Sequence, residues 1–274
     1  MKLKLVTILS LCLLTVSCSH FISHNTSKNK VSSSLVDFLY PNDNSRTEHR
    51  PELPTLTLPV KIGLAFVPSK NWQQNGMSKN LQLTLLESVK QSFLQYDYID
   101  RIEIIPSTYL NGGEGFTTLE QVSRLYDVDL MALVSYDQIT QSHENNAALL
   151  YWTIVGMYVI PGNENTIQTF VDTAVFDVKS QKMLLRAPGI SKLEQRSTAI
   201  GIDSTMTEQS LQGFDIAVKN MNSNLHTELK TFKQRVKEEK IANVERREGY
   251  SGGAINGLII SGLMLLLCIR RRTW

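Results

Sequence analysis

The chain has 274 residues, 42% of them hydrophobic and 20% charged, a globular composition long enough for one sizeable core with extensions. Its formal charge of +2 owes much to Arg270, Arg271 and Arg272 at the extreme end, and without them no basic stripe with interleaved aromatics remains to suggest a nucleic-acid partner. The three cysteines, Cys12, Cys18 and Cys268, leave residues 19–267 without thiols, which excludes an internal disulfide, a thiol nucleophile and a cysteine-ligated zinc site from the folded middle.

The N-terminus reads as a secretory signal over residues 1–17. Lys2 and Lys4 precede an apolar run, Leu5 to Val16, that is too short to span a bilayer comfortably, and small residues follow. Thr15-Val16-Ser17-Cys18 resembles the bacterial lipobox, in which the cysteine is diacylated on sulfur and becomes the mature N-terminus; Thr15 stands where that motif favours leucine. The resemblance makes Cys18 the lipid-attachment residue, and Ser19 in place of aspartate implies export toward the outer membrane. A conventional signal peptide with an incidental cysteine is the alternative. Residues 18–59, rich in Ser, Asn, Thr and Pro, read as a flexible tether, with one short apolar patch at Leu35 to Tyr40 suited to docking.

An α/β domain is expected over 60–247. Val60 to Val67 is a β-rich run closed by Pro68. Ser78 fits the cap of a helix carrying Leu81, Leu85, Val89 and Phe93 at three-to-four spacing. A strand at Arg101 to Ile105, a helix opened by Thr117-Thr118 with Glu120 and running to Tyr126, and a strand at Leu130 to Tyr136 complete a β-α-β-α-β order, which calls for side-by-side strands with crossover helices. Leu149 to Ile160, Thr166 to Lys179 and Lys182 to Arg186 read as further strands extending the sheet antiparallel, with turns at Pro161-Gly162-Asn163 and Ser180-Gln181. A long helix from about Thr205 to Arg247 carries Leu211, Phe214, Val218, Met221, Leu225, Leu229, Phe232 and Val236 as a narrow seam. Its first half is expected on the sheet; from Lys230 onward charges predict a solvated stalk.

The remaining residues, 248–274, read as a sorting tail. Gly252 and Gly253 precede Ala254 to Ile269, about sixteen apolar residues, at the short edge of the ~17–25 that span a bilayer. Arg270, Arg271 and Arg272 would stop the segment at the cytoplasmic face and leave the domain on the other side. Gly257 and Gly262 inside the run lower the cost of unwinding it by about 1 kcal/mol each relative to alanine. A permanent tail anchor is the plainer alternative. Gly-Gly, an apolar segment and terminal arginines resemble the GlyGly-CTERM signal, which is processed by rhombosortase, a rhomboid-like intramembrane serine protease. The lipobox paired with this tail, together with Leu133 to Gln138, Tyr151 to Gly156 and Lys182 to Gly189, resembles the rhombotarget lipoprotein family. That resemblance implies a precursor in the inner membrane with its domain in the periplasm, then a lipid-anchored form in the outer membrane or at the cell surface. The implied partners are the lipoprotein-processing and acylation enzymes, a rhombosortase-like protease, membrane lipid and an envelope protein.

Candidates for chemistry in the middle are sparse. Asn111 to Gly115, NGGEG before a helix, invites a phosphate-loop reading but lacks the Lys-Ser/Thr pair, so a flexible turn is expected. His20, His24 and His49 lie in the tether, leaving His143 and His226 without metal-site or triad spacing. Asp127, Asp129, Asp137, Asp172 and Asp177 sit at strand ends and turns, where aspartates commonly serve backbone N–H groups. Trp72 and Trp152 suit core packing better than a groove. No catalytic residue, cofactor or metal is therefore assigned. The expectation is a non-catalytic binding or assembly factor, with an envelope-associated or surface hydrolase as the alternative.

Overall fold

A computed structural model describes residues 26–32, 34–41, 52–68 and 78–248. Strand β1 (Thr26–Ser32) and helix α1 (Leu35–Leu39) come first. Ser34 caps α1 by accepting a hydrogen bond from the Asp37 N–H at 3.2 Å, and Phe38 and Leu39 are buried. Both elements fall in the segment read as a flexible tether: β1 is regular structure where a tether was expected, whereas α1 is the apolar patch at Leu35 to Tyr40, docked. A capped apolar patch gains more by burying its side chains than by staying in water.

Strands β2 (Thr55–Leu58) and β3 (Val60–Phe66) are joined through a cis Leu58–Pro59 bond. Helix α2 (Lys79–Phe93) starts as its sequence predicts, with the Ser78 hydroxyl accepting from the Leu81 N–H and with Leu85, Leu86, Val89 and Phe93 buried. Strand β4 (Ile99–Ile104), helix α3 (Phe116–Tyr126) and strand β5 (Leu130–Glu144) complete the expected β-α-β-α-β unit, and β3 pairs parallel with both β4 and β5. Parallel neighbours need crossovers, which α2 and α3 supply.

The run read as a strand at Leu149 to Ile160 is instead a 3-10 turn (Asn146–Trp152) followed by helix α4 (Ile154–Val159). Side chains in the connection capture its amides: Asn145 Oδ1 accepts from the Ala147 N–H at 2.9 Å, and Thr153 Oγ1 accepts from the Gly156 N–H at 2.9 Å. Val155, Tyr158 and Val159 are exposed, so the apolar β-branched composition that suggested a strand buries no sheet face here. Strands β6 (Asn163–Asp177) and β7 (Lys182–Ser197) follow. They are hydrogen-bonded neighbours with only four residues between them, a connection open only to antiparallel strands.

Helix α5 (Ile202–Glu238) is shorter than the helix expected to reach Arg247. Lys240 is left-handed at φ 52°, and strand β8 (Asn243–Arg246) then pairs parallel with β2. The charged end is thus not a free stalk: the Arg247 N–H donates to the Leu58 carbonyl at 2.9 Å, and its guanidinium reaches Asp129 at 2.8 Å.

The fold is mixed α/β. One sheet has the order β4-β3-β5-β6-β7 with β1 antiparallel on β5, and β2-β8 form a second small sheet. The chain divides into two compact units. One contains β1 and residues 136–171 and 189–219. Its interior holds polar pairs: Gln138 Nε2 donates to Thr169 Oγ1 at 2.9 Å and Asn165 Nδ2 to Ser197 Oγ at 2.8 Å, while the buried Gln209 reaches the exposed Gln195, its Nε2 donating to Oε1 at 2.7 Å. The other unit contains α1 to the start of β5, residues 172–188 and the chain from Asn220. Its strands are apolar on both faces, as parallel strands covered on each side must be. Ala65, Val67, Met131, Leu133, Ala174 and Phe176 pack with Phe38, Leu39, Phe116, Leu119 and Val122 of α1 and α3. Among the described residues no helix is long and apolar enough to cross a membrane; the run Ala254 to Ile269 lies outside them.

Candidate ligand cavity

The alternation that sends Ala65, Met131, Leu133 and Ala174 to one face sends Ile62, Leu64, Leu130, Ala132, Thr173 and Val175 to the other. Against that second face lies a cavity of about 910 Å³. Four elements wall it. The sheet supplies Leu64, Ile102, Ala132, Val175 and Leu185; α2 supplies Val89 and Phe93. From the last third of α5 come Leu225, Leu229, Phe232 and Val236, at successive steps of four, three and four residues, one helix stripe. The small sheet closes the remaining side. Its register pairs Leu56 with Val244 and Leu58 with Arg246, and these four residues all line the cavity.

Packing changes along α5. Met221 is fully buried, with Thr173 Oγ1 donating to its sulfur at 2.9 Å, and Leu225 is 5% exposed. Leu229, Phe232 and Val236 are only half-buried, so the helix keeps its apolar stripe while the opposing wall stands away. Lys233, Lys237, Lys240 and Arg246 also line the cavity, against a single carboxylate, Asp97. Lys233 Nζ sits 5.3 Å from the centre of the Tyr98 ring. Tyr96 stacks on Tyr98 at 5.2 Å, and its hydroxyl meets His226 Nδ1 at 2.6 Å while the imidazole stacks on Phe93 at 4.7 Å. His226 therefore braces aromatic residues of the cavity wall.

The aspartates are dispersed. Asp127 hydrogen-bonds Lys61 Nζ at 2.5 Å, a contact that, with Arg101 close by, holds its carboxyl below the usual carboxylate range. Asp129 accepts from the Lys61 N–H at 3.1 Å and from Arg247 at 2.8 Å. Asp177 accepts from the Ser180 N–H at 2.9 Å and from its hydroxyl, the turn role its position suggested. Asp172 is 4% exposed and pairs with Arg186 at 2.6 Å; burial pushes its carboxyl up, and the arginine offsets that only in part. In the other unit, Asp137 Oδ1 is buried without a hydrogen-bond partner among the described residues. His143 there contacts Glu164 at 3.2 Å. Hydrogen bonding from Asn145, together with Arg196 and His143, keeps the Glu164 carboxyl low. Among the described residues no three His, Cys, Asp or Glu side chains form a metal-binding group.

The NGGEG segment is a turn, exposed from Asn111 to Glu114 and closely packed only at its last residue. Gly115 caps α3 at φ 59°, and a Cβ there would lie 2.1 Å from the Leu39 carbonyl oxygen. Cys18, Gly252, Gly253, Arg270, Arg271, Arg272, His20, His24, His49 and Trp72 lie outside the described residues, as does the Trp152 side chain. The cavity has no counterpart among the residues singled out for chemistry. Its traces in the sequence are the α5 seam continuing past Leu225 and the lysines one residue beyond Phe232 and Val236.

No protein-family model matches the chain, and no curated protein matches it. Among solved structures the chain is similar to a dodecamer of a PelC variant from Paraburkholderia phytofirmans, at 9% identity over 72% of this chain and 96% of that one, with a TM-score of 0.28. A likeness that slight bears on neither mechanism nor assembly.

Proposed function

We propose that this protein is an exported bacterial lipoprotein of the cell envelope whose mature domain is a non-catalytic binding factor. In this reading the signal peptide is removed before Cys18, which carries the lipid. A rhombosortase-type protease recognises Gly252 and Gly253, while Arg270, Arg271 and Arg272 hold the precursor in the inner membrane. Several acyl chains give firm attachment, at about 0.8 kcal/mol per buried CH₂, so the trimmed protein stays on a membrane surface after its C-terminal segment is lost.

The observation that carries the binding role is the cavity of about 910 Å³, near the upper end of the ~300–1,000 Å³ typical of ligand sites. Its walls are chiefly aliphatic and aromatic, with polar groups gathered around Lys233 and Tyr98, the arrangement of a site that holds a molecule. Asp127 and Asp172 are engaged in ion pairs and Asp177 in a turn, rather than set opposite each other as a carboxylate pair. Intact mass spectrometry of the mature protein tests the processing half. Acyl mass on an N-terminal Cys18 and loss of everything beyond the Gly-Gly region are expected; an unmodified residue 18 or a retained Trp274 would each overturn one claim.

A further inference from the structure

We infer that the cavity beneath the end of α5 binds a long-chain anionic amphiphile, its alkyl chain along Leu225, Leu229, Phe232 and Val236 and its acid group among Lys233, Lys237, Lys240 and Arg246. The inference rests on the binding role proposed above and names the ligand class. The space is partly open to solvent, and displacing water from its aliphatic and aromatic walls is favourable for an apolar chain. In the sheet wall the polar side chain is Thr173, whose hydroxyl already donates to Met221. A peptide would bring N–H and C=O groups against a surface with little to pair them. An alkyl chain has no such groups.

Charge selects the head group. Four cations line the cavity against one carboxylate, and Arg246 shares the cavity-lining set with its register partner Leu58. Lysines carrying a long apolar stem can cover the chain and still meet an acid in water. The protein's own apolar run, Ala254 to Ile269, is a poorer occupant on the same ground. It ends in three arginines, which would face a cationic rim. A carboxylate and a phosphate satisfy the chemistry equally, so a free fatty acid and an acidic phospholipid are the two sources.

Photolabelling of the full-length chain in phosphatidylcholine vesicles tests this. Diazirine-bearing palmitic acid, phosphatidylglycerol and hexadecanol serve as probes, with peptide mapping of the sites. At least one acidic probe should label residues 221–237 and 172–187, and the probe that does so identifies the source. Unlabelled ligand should compete. Combining Lys233→Glu, Lys237→Glu and Lys240→Glu should cut acidic labelling by about tenfold, as expected for lost contacts to charged groups, and leave hexadecanol labelling within about twofold. These lysines are exposed, so the variant tests the site without disturbing the core. Ala132→Trp with Val175→Trp should abolish labelling by all three probes. Label confined to 254–269, acidic labelling no greater than that of hexadecanol, or no response to charge reversal would overturn the inference. Because the reaction occurs on the chain whatever the state of its ends, failure of the processing claims is read separately by mass.

Discussion

Gly115→Ala should be among the most damaging single-methyl substitutions in the molecule, and the structure says why. Gly115 sits at φ 59° and ψ −126°, and an added Cβ would lie 2.1 Å from the Leu39 oxygen, 2.9 Å from the Leu39 carbonyl carbon and 3.1 Å from Pro41 Cδ. Strained backbone of this kind costs about 1–3 kcal/mol. Forcing a methyl group into a packed contact costs roughly 1–3 kcal/mol more, and because the obstruction is backbone, the α1 segment must move with Phe38 and Leu39. A total near 4 kcal/mol, divided by a urea m-value of about 2 kcal/mol/M, moves the unfolding midpoint down by about 2 M. Gly113 is the internal control. It too has positive φ, 71°, but its added Cβ meets nothing closer than the Asn111 oxygen at 4.0 Å. Gly113→Ala should cost only about 1 kcal/mol, the backbone penalty without the collision. Equal midpoint shifts at the two positions would refute the argument that α1 is docked against the start of α3.

Along α5, Met221→Ala should cost about 2–5 kcal/mol, while Phe232→Ala, which faces the cavity half-exposed, should cost under about 1 kcal/mol because it forfeits fewer contacts; urea unfolding of the pair checks where close packing ends. Asp172 has its folded-state pKa raised above 3.8 by burial, so its contribution to stability is retained below that value and lost as pH climbs through the folded pKa. Asp172→Asn should flatten stability across the weakly acidic range and leave the protein no less stable at neutral pH, as thermal melts at stepped pH would show; a steeper pH dependence would contradict the burial argument. Arg247→Ala removes the 2.8 Å contact to Asp129, whose side chain is 39% exposed, and should lower stability by only about 0.5–1 kcal/mol. Its larger effect should be faster limited proteolysis beside β8, and unchanged cleavage would count against the anchoring of that strand.

Much of the α/β layer was legible because the relevant signals are local. Ser78 before the Leu85-Val89-Phe93 stripe, and β-rich runs closed by Pro68 and Pro106, each fix an element with little help from the rest of the chain. The misreadings arose where local caps overrode composition in one segment and where distant partners decide in another. Leu149 to Ile160 has strand composition, yet Asn145 and Thr153 cap it into turns, and Leu150, Val155, Tyr158 and Val159 remain exposed. The end of α5 depends on β8 finding β2, far earlier in the chain, which no periodicity near Glu238 announces. The cavity is harder still to foresee. A stripe such as Leu225-Leu229-Phe232-Val236 says that a helix has an apolar face, but not how far its partner stands away. The lysines beyond Lys230 are indeed exposed, as their charge suggested; that they border an apolar space follows only from tertiary placement.

The most direct test of the binding role is native mass spectrometry of the full-length protein purified from cell envelopes in an amphipathic polymer, followed by denaturation of the same sample. A noncovalent acidic lipid should accompany the folded chain at one copy, leave on denaturation, and fall sharply in amount in the variant carrying Lys233→Glu, Lys237→Glu and Lys240→Glu. A folded chain that carries no such molecule, or carries it equally well with the lysines reversed, would contradict the account.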